Sequence, residues 1–307
     1  MNFSESNNDI LSQLTIIITT YNRKKFLLRS IQYWEDKKVN IIYLDGSKKK
    51  LDLSLINDLN RNIKYIHNPA SQYERISNVI NFINTKYVMF GSDDEFYITS
   101  ALRSCLNKLN NNPELNACGG ICLGFNFQEG NIIGQIKYPK LYYKNLNQNT
   151  SIERINSHYN NYAPAHIYSV CRTDIWKIIA EGIFSKEFSF YSAFEFQFEF
   201  LMCFAGKTKI IKELMWLRSN ENQPIRNTSP QDMLENSIEK WWYGKEKQFK
   251  GEYNDFIYRM IKICSKINKS KKLNDQEIEK FIEIAFLKAV NFKKKINYIF
   301  SHKNILT

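Results

Sequence analysis

The stretch Tyr87–Phe96, YVMFGSDDEF, decides the fold. Four largely apolar residues run into a Gly-Ser pair, and the three carboxylates of Asp93, Asp94 and Glu95 follow. Such a run predicts a buried strand that ends in an acid cluster. Carboxylates this close repel one another unless they are protonated or bridged by a cation such as Mg²⁺ or Mn²⁺. Two interpretations remain open here: a metal site at the C-terminal end of a strand, or a polar turn whose acids cap a helix starting near Ile98.

Strands and helices alternate along the chain before this stretch. Leu14–Thr20 is β-branched and continuously apolar, which predicts a strand buried on both faces of a parallel sheet. Val39–Leu44 and residues 63–67 predict two more strands, and apolar residues at helical spacing predict helices over 26–34 and 73–84. We therefore expect an α/β fold, in which ligands bind beyond the carboxyl ends of the strands.

Glycine-rich phosphate loops are absent from the sequence. It contains neither GxGxxG nor GxxxxGK[ST], so neither a dinucleotide fingerprint nor a phosphate loop is supported. The phosphates of a bound nucleotide would then need a metal, and the acid cluster supplies a place for one.

The pattern continues beyond the acid cluster with less regularity. A helix is predicted through residues 101–109, a glycine-containing strand over Cys118–Asn126, another strand over Tyr162–Cys171, and an amphipathic helix after it. Residues 131–149 form an excursion without a clear pattern.

Two glutamates lie four residues apart in the aromatic run FSFYSAFEFQFEFLMCF (188–204). On a helix, Glu195 and Glu199 share one face. A carboxylate set among phenylalanines should have a raised pKa or a fixed cationic partner, and a general base is often built that way. The alternative is a partly exposed helix whose polar face carries Glu195, Gln197 and Glu199.

Charge is distributed unevenly along the 307 residues. The net charge is +12, from 43 basic and 31 acidic side chains, and residues 245–307 hold 15 of the basic and 7 of the acidic ones. The basic C-terminus could attract nucleic acid or an anionic membrane, or it reflects a composition rich in Asn, Ile and Lys.

Targeting signals and metal-binding spacings are missing. The polar N-terminus lacks a basic and an apolar signal region, and no apolar run reaches the length of a membrane span, so we expect a cytoplasmic protein. The six cysteines are scattered and are expected to be reduced and structural. The four histidines show no HxxxH spacing, so no zinc site is expected.

The C-terminal part has a helical pattern. Helices are predicted over 232–240, 256–267 and 273–300, the last opening with a capping box of Asn274 and Glu277. Its NFKKKINYIF segment (291–300) suits either an anionic membrane surface or a solvent-facing basic helix. Trp241 and Trp242 form either a sugar-stacking wall or part of the core. We expect a main domain over 1–229 and a basic helical subdomain over 230–307.

Taken in order, these motifs resemble those of the GT-A glycosyltransferases, particularly the bacterial family-2-like enzymes with an ADDDF-type acid motif. IIITTYNR (16–23) resembles the opening I-x-I-P-T-Y-N-R strand and turn, with Thr19 where proline is usual. IIYLDGS (41–47), FGSDDEF (90–96), APAHIYSVCRTDIW (163–176) and AFEFQFEFLMCFAGKTKII (193–211) are similar to the nucleoside, metal, donor-sugar and catalytic-carboxylate segments. The resemblance covers roughly Leu14 to Arg218 and implies a GT-A fold, a Rossmann-like mixed sheet.

The resemblance also implies residue roles. The implied set is Thr20, Tyr21, Arg23, Asp45, Asp93 and Arg218 for the nucleotide sugar, Asp94 and Glu95 for Mn²⁺ or Mg²⁺, and Glu195 as the catalytic base. The metal would neutralise the diphosphate leaving group, and Glu195 would deprotonate the acceptor hydroxyl for in-line, inverting attack. The register of the DxD motif stays open between residues 92–94 and 93–95. Many relatives carry a histidine near the metal where this sequence has Arg218, which would instead contact the diphosphate.

The expected function is therefore an inverting glycosyltransferase. Its donor would be a nucleotide-diphosphate sugar, and its acceptor a glycan or a lipid-linked saccharide in bacterial surface polysaccharide synthesis. Peripheral contact with the inner face of the membrane through the basic C-terminus is part of this expectation, and nucleic acid is not an expected partner. One alternative is a sugar nucleotidyltransferase, although TTYNRKKF (19–26) lacks the glycine-rich loop which that class needs. The other is a non-catalytic nucleic-acid-binding or membrane-binding protein that uses the basic tail.

Overall fold

A mixed β-sheet organises the molecule. The computed structural model describes residues 9–52, 54, 60–190, 192–220, 235–268 and 273–303, with the backbone alone at 127–128 and 292–303. Within these residues the strands are β1 (Leu14–Thr20), β2 (Asn40–Asp45), β3 (Ile63–His67), β4 (Tyr87–Ser92), β5 (Phe96–Tyr97), β6 (Leu115–Gln128), β7 (Asn131–Lys137), β8 (Val170–Arg172) and β9 (Lys207–Ser219). Their order is β3-β2-β1-β4-β8-β6-β9-β5, and β7 pairs with β6.

The first four strands are parallel and end at the same edge. β1 lies between β2 and β4, with Thr20 opposite Asp45 and Thr19 opposite Ser92. Beyond β4 the sheet turns antiparallel through β8, which also pairs with β6. The predicted α/β order of the N-terminal half is confirmed, and it brings the polar strand ends together.

Both faces of the inner parallel strands β1 and β4 are buried. In β1, Ile17 packs into one hydrophobic cluster, and its neighbours Ile16 and Ile18 pack into the other. β4 alternates in the same way, since Phe90 joins the first cluster and Met89 the second. The continuous apolar runs of the sequence follow from this double burial.

Helices cover the two faces. They are α1 (Lys24–Trp34), α2 (Gln72–Ser77), α3 (Thr99–Asn111), α4 (Ser151–Asn160), α5 (Thr173–Ile183), α6 (Ala193–Ala205), α7 (Ile238–Tyr243), α8 (Lys250–Ile267) and α9 (Asp275–Lys303). The buried apolar residues of α1 and α3 belong to one cluster, and those of α2 and of α4 to α9 belong to the other. Short 3-10 turns at Ile10–Gln13, Ile80–Phe82 and Pro139–Tyr143 complete the described elements named here.

Three predicted elements differ from the structure. The strand predicted over Tyr162–Cys171 is wrong for most of its length, because regular pairing covers only Val170–Arg172. The helix predicted over 73–84 breaks after Ser77 and resumes as a 3-10 turn. The excursion after residue 131 begins as a hairpin strand paired with β6.

The C-terminal helices share a core with the helices of the sheet region. Trp241, Phe256 and Phe286 lie in the same cluster as residues of α4, α5 and α6. Trp241 and Trp242 are buried, so their predicted alternative as a sugar-stacking wall is wrong. The capping box at Asn274 and Glu277 is confirmed, since each side chain accepts from the backbone N–H of the other.

The boundary at 229/230 lies outside the described residues, as do the side chains of the basic segment 292–303. The division into two domains therefore stays a prediction. None of the described helices combines the length and the apolar character that crossing a membrane requires.

Replacing Phe286 by Ala tests the shared core. The ring is fully buried and stacks on Phe196 with ring centroids 3.9 Å apart and on Trp242 with centroids 5.0 Å apart. We expect Phe286→Ala to lower the free energy of unfolding by about 3–5 kcal/mol, because it leaves a cavity between α6, α7 and α9. Urea denaturation followed by fluorescence measures this change.

The matched control is Leu287→Ala, since Leu287 is the next residue of the same helix and is 49% exposed. Its effect should stay within about 1 kcal/mol. Equal effects of the two substitutions would contradict the shared core.

Candidate active site

Arginine 23 holds the first two acids of the cluster. It lies at the N-terminus of α1, directly after the turn that follows β1. Its guanidinium reaches Asp93 at 2.9 Å and Asp94 at 2.7 Å. The Thr20 hydroxyl donates to Asp93 at 2.6 Å, and the Ser92 hydroxyl donates to Asp94 at 2.6 Å. The acids therefore face the end of β1, and their repulsion is offset by a cation of the chain itself.

The Glu95 side chain contacts residues of β5 and β9. It is buried, accepts a hydrogen bond from the Tyr97 hydroxyl at 3.1 Å, and lies 3.8 Å from the Arg218 guanidinium on β9. Burial raises the pKa of Glu95 to about 8, although Arg218 acts in the opposite direction. Burial also raises the pKa of Asp93 to about 6, against the influence of Arg23. These carboxyl groups thus sit where negative charge is poorly solvated and where cations are concentrated.

Asp45 lies at the end of β2, on the other side of β1 from the acid cluster. Its carboxylate is buried and accepts from the Ser47 backbone N–H at 2.8 Å and from the Tyr65 hydroxyl at 2.5 Å. A cavity of about 510 Å³ opens next to it, lined by Thr20, Asp45, Ser47 and the lysines 48–50 among others. Tyr21 is exposed at the start of the turn. Its volume and its charged lining residues are typical of a small-molecule binding site.

Arg75 is a site residue that the sequence did not point to. It lies on α2, where burial lowers its pKa, although the Asp45 carboxylate acts in the opposite direction. Its guanidinium lies over Gly46, where a Cβ would come within 1.8 Å of it. One nitrogen donates to the Ala70 carbonyl at 2.6 Å, while the buried Nε has no hydrogen-bond partner among the described residues. The available signal was that Arg75 is the one cation between residues 73 and 84.

Glu195 lies in a second cavity. This cavity, about 450 Å³, is lined by Tyr138, Pro139, Lys140, Tyr162, Ala163, Pro164, Tyr168, Glu195 and Arg218. Glu195 is half-buried in the first turn of α6 and accepts a hydrogen bond from the Tyr162 hydroxyl. Arg218 belongs to both this cavity and the acid cluster, since it contacts the Tyr138 hydroxyl as well as Glu95. Arg218 thus lines the cavity that contains Glu195 and also lies beside Glu95 of the acid cluster.

Glu199, one turn after Glu195, lies in the core of the protein. It is fully buried and accepts from the backbone N–H groups of residues 165, 166 and 167 at 3.2, 2.9 and 3.0 Å. His166 Nδ1 lies 2.7 Å from the same carboxylate. Burial raises the pKa of Glu199, but His166 and the backbone N–H groups outweigh burial and hold it below the usual value. The alternative of a partly exposed polar face is wrong, because Gln197 and Glu199 are both buried.

Two of the four histidines, His158 and His166, lie close together in the fold although their sequence spacing does not match a zinc motif. Ligand atoms of His158, His166 and Cys203 lie within 4.8 Å of one another in the core. Burial holds the pKa of His158 well below its usual range. Residues far apart in the chain form this group, so a search for local zinc motifs could not have found it. The six cysteines are all buried and unbridged, in agreement with structural thiols.

A divalent ion at the strand ends would need hard oxygen ligands. Asp94 fits this requirement, since its carboxylate offers oxygen ligands and its side chain is 11% exposed. Glu95 would have to leave Tyr97 and Arg218 to reach the same ion, so its role as a ligand stays a prediction. Among the described residues, the acids at this edge do not form a group of three converging ligands. Most oxygen ligands of such an ion would then come from a bound diphosphate and water.

Comparison with protein families identifies the class. Residues 15–174 match the model described as "Glycosyl transferase family 2". The chain belongs to this family, and its mixed sheet with flanking helices is a GT-A fold. It is thus a family 2 glycosyltransferase. A search of the curated proteins finds no match.

Solved structures of S. aureus TarS are among those similar to this chain. The structure of TarS 1-349 has 12% identity, covers 91% of this chain and 88% of that chain, and gives a TM-score of 0.48. TarS 1-349 in complex with UDP-GlcNAc has 14% identity, with 90% and 81% covered and a TM-score of 0.49. A TarS structure without stated residue limits has 10% identity, with 83% and 42% covered and a TM-score of 0.49.

A pH titration of stability tests the placement of Glu95. Because its pKa is raised to about 8 in the folded protein, the folded state holds this proton more tightly than the unfolded chain does. The free energy of unfolding should therefore fall as the pH rises from about 4.5 to about 8. We expect this fall to be smaller in Glu95→Gln, measured by urea denaturation across pH 5–9 without divalent cations. Parallel curves for the two proteins would contradict the buried, proton-retaining Glu95.

Proposed function

We propose that this chain transfers a sugar from a nucleotide-diphosphate sugar to a hydroxyl group of a glycan or lipid-linked acceptor, with inversion of the anomeric carbon. The observation that carries the proposal is the position of Arg218. It lies 3.8 Å from Glu95 in the acid cluster and lines the cavity that contains Glu195. The proposed base and the proposed diphosphate site would then lie on the two sides of Arg218.

The nucleotide would occupy the ends of β1, β2 and β4. Asp45, fixed by Ser47 and Tyr65, would contact the base or ribose beside the 510 Å³ cavity. Thr20, Tyr21 and Asp93 would line the nucleoside side. Arg75 adds a buried cation to this set, with an Nε that has no partner among the described residues.

The diphosphate would lie against Arg23 and Arg218. Both guanidiniums already face carboxylates, and charge-assisted bonds to phosphate oxygens are of the same kind. Mn²⁺ or Mg²⁺, when bound, would supply Lewis-acid neutralisation of the leaving group, with Asp94 as its protein ligand and Glu95 as a further predicted one.

Glu195 would act as the base. Its carboxylate is placed in an aromatic cavity by the first turn of α6 and by the Tyr162 hydroxyl. It would take the proton of the acceptor hydroxyl while that oxygen attacks the anomeric carbon from the face opposite the diphosphate. The nucleoside diphosphate would leave with the bonding electron pair.

Family membership favours this transferase over the two alternatives. Neither a sugar nucleotidyltransferase nor a non-catalytic basic protein requires a half-buried glutamate in one cavity with the arginine that contacts the acid cluster. We propose bacterial surface polysaccharide synthesis as the setting, at the cytoplasmic face of the membrane, with the basic C-terminus as a peripheral contact. A catalytic domain over 1–229 with an appended helical subdomain is part of the same proposal.

Nucleotide binding tests the donor assignment. UDP, GDP, CDP and ADP, each with and without Mn²⁺, should be compared by thermal melting. We expect one of them to stabilise the protein, by about 2.7 kcal/mol at a concentration 100 times its Kd. Arg23→Ala should lose most of this stabilisation, and Lys108→Ala, an exposed residue of α3, should keep it. Failure of all four nucleotides to raise the melting temperature would contradict the proposal.

Substitution of Glu195 by Gln tests the catalytic base. Removal of a general base should lower the rate by about 10²–10⁴-fold, while nucleotide binding is unchanged. Donor hydrolysis, in which water replaces the acceptor, provides the measurement without knowledge of the acceptor. Glu181→Gln, an exposed position on α5, is the matched control. Wild-type hydrolysis by Glu195→Gln would remove Glu195 from the mechanism.

A further inference from the structure

Three cavities adjoin one short segment next to Glu195. The segment comprises Tyr138, the 3-10 turn Pro139–Tyr143, and Lys144. The cavity of Glu195 is lined by its residues 138–140, a cavity of about 340 Å³ by residues 138, 139, 142 and 143, and a cavity of about 250 Å³ by residues 140, 143 and 144. We call residues 138–144 the acceptor segment. Together these cavities extend the surface well beyond the space that one sugar needs.

The cavity linings carry more positive than negative charge. Among the lining residues, Lys140, Lys144 and Arg218 are basic, and Glu195 is acidic. Lys212 adds a further ammonium group, whose Nζ lies 4.7 Å from the centroid of the Tyr142 ring. Lys137 directly precedes the segment in the chain. Lys140 and Lys212 thus place positive charge next to these cavities, while the Lys144 ammonium is bonded to two backbone carbonyls.

Aromatic rings alternate with these cations. Tyr143 is 82% exposed and Tyr142 is 43% exposed, with their centroids 5.1 Å apart in an edge arrangement. Exposed tyrosine rings offer an apolar face and a polar tip, a combination suited to sugar rings. Ile136, 65% exposed, continues the apolar part of the 340 Å³ cavity.

The segment is held in one position from both ends. Tyr138 has a left-handed backbone with φ of 51°, stacks on Trp216 with centroids 5.7 Å apart, and contacts Arg218 through its hydroxyl. Lys144 donates to the carbonyls of His158 and Asn161 at 3.1 and 2.8 Å. A strained non-glycine residue fixed by packing is typical of ligand-binding segments. Lys140 and Tyr143 lie between these anchors, at the positions that reach outward.

We propose that the acceptor segment binds a saccharide acceptor that carries negative charge along its chain, as carboxylate or phosphate groups. The sugar units beyond the reacting one lie on the Tyr143 ring, and Lys140 forms an ion pair with their negative groups. The reacting hydroxyl faces Glu195. This inference rests on the proposed function, because Glu195 defines the end of the site at which the acceptor reacts.

Binding of defined oligosaccharides to the full chain tests the proposal. The probes are a hyaluronan tetrasaccharide, which carries carboxylates, a phosphorylated chitotetraose, which carries phosphates, and chitotetraose itself, which is neutral. Isothermal titration calorimetry in the presence of the stabilising nucleoside diphosphate gives the affinities. We expect at least one anionic probe to bind about tenfold or more tightly than chitotetraose, and raised salt to reduce this difference. Which of the two anionic probes binds distinguishes carboxylate from phosphate.

Matched variants locate the binding. Lys140→Glu and Tyr143→Ala should each lower the affinity for the anionic probe by about fivefold or more. Lys108→Glu on α3 and Tyr258→Ala on α8, where Tyr258 is 61% exposed, should leave its affinity unchanged. All four positions are on the surface, and melting curves confirm that the variants fold.

Several results overturn the proposal. Chitotetraose binding as tightly as both anionic probes, no binding of either anionic probe, or wild-type affinity in Lys140→Glu and Tyr143→Ala would each do so. Binding to phosphatidylglycerol vesicles that is lost in Lys140→Glu, without binding of either anionic saccharide, would assign the surface to a membrane instead. Nucleotide stabilisation in the same samples separates the two proposals: if it persists while the anionic probes fail, only the acceptor assignment is wrong.

Discussion

Burial of three consecutive carboxyl groups at the end of β4 is the constraint on which the rest of the site depends. Asp93, Asp94 and Glu95 follow a strand whose apolar residues fill both cores, so the acids cannot move far into water. Their mutual repulsion and poor solvation require cations nearby. Arg23 meets this need from the start of α1, and Arg218 meets it from β9. Two arginines more than 190 positions apart in the chain therefore meet at one edge of the sheet.

The helix α6 serves this edge in two ways. Its two glutamates lie one turn apart, yet Glu195 opens into a cavity while Glu199 is completely enclosed. Glu199 gathers three consecutive backbone N–H groups, and so it holds the loop that supplies Ala163, Pro164 and Tyr168 to the wall of that cavity. The helix that carries the proposed base also fixes the wall opposite it.

The sequence predicted the features that depend on local pattern. The parallel strands, the acid cluster and the helix of Glu195 follow from periodicity and from carboxylate spacing. The irregular stretch before Val170 could not be predicted from its pattern, because it is as apolar as a strand. Its backbone N–H groups bind the Glu199 side chain of α6 instead of a neighbouring strand. Arg75, Tyr138 and Tyr162 were missed for a related reason. Their importance lies in contacts with residues distant in the chain, which no local spacing encodes.

The central claim is that the strand ends and Glu195 enclose one nucleotide-sugar site. The most direct measurement is a crystal structure of the protein with the nucleoside diphosphate that stabilises it, with and without Mn²⁺. We predict that the base lies beside Asp45 and that the phosphates lie between Arg23 and Arg218. A nucleotide bound away from this edge, with both arginines still turned only to the acids, would contradict the account.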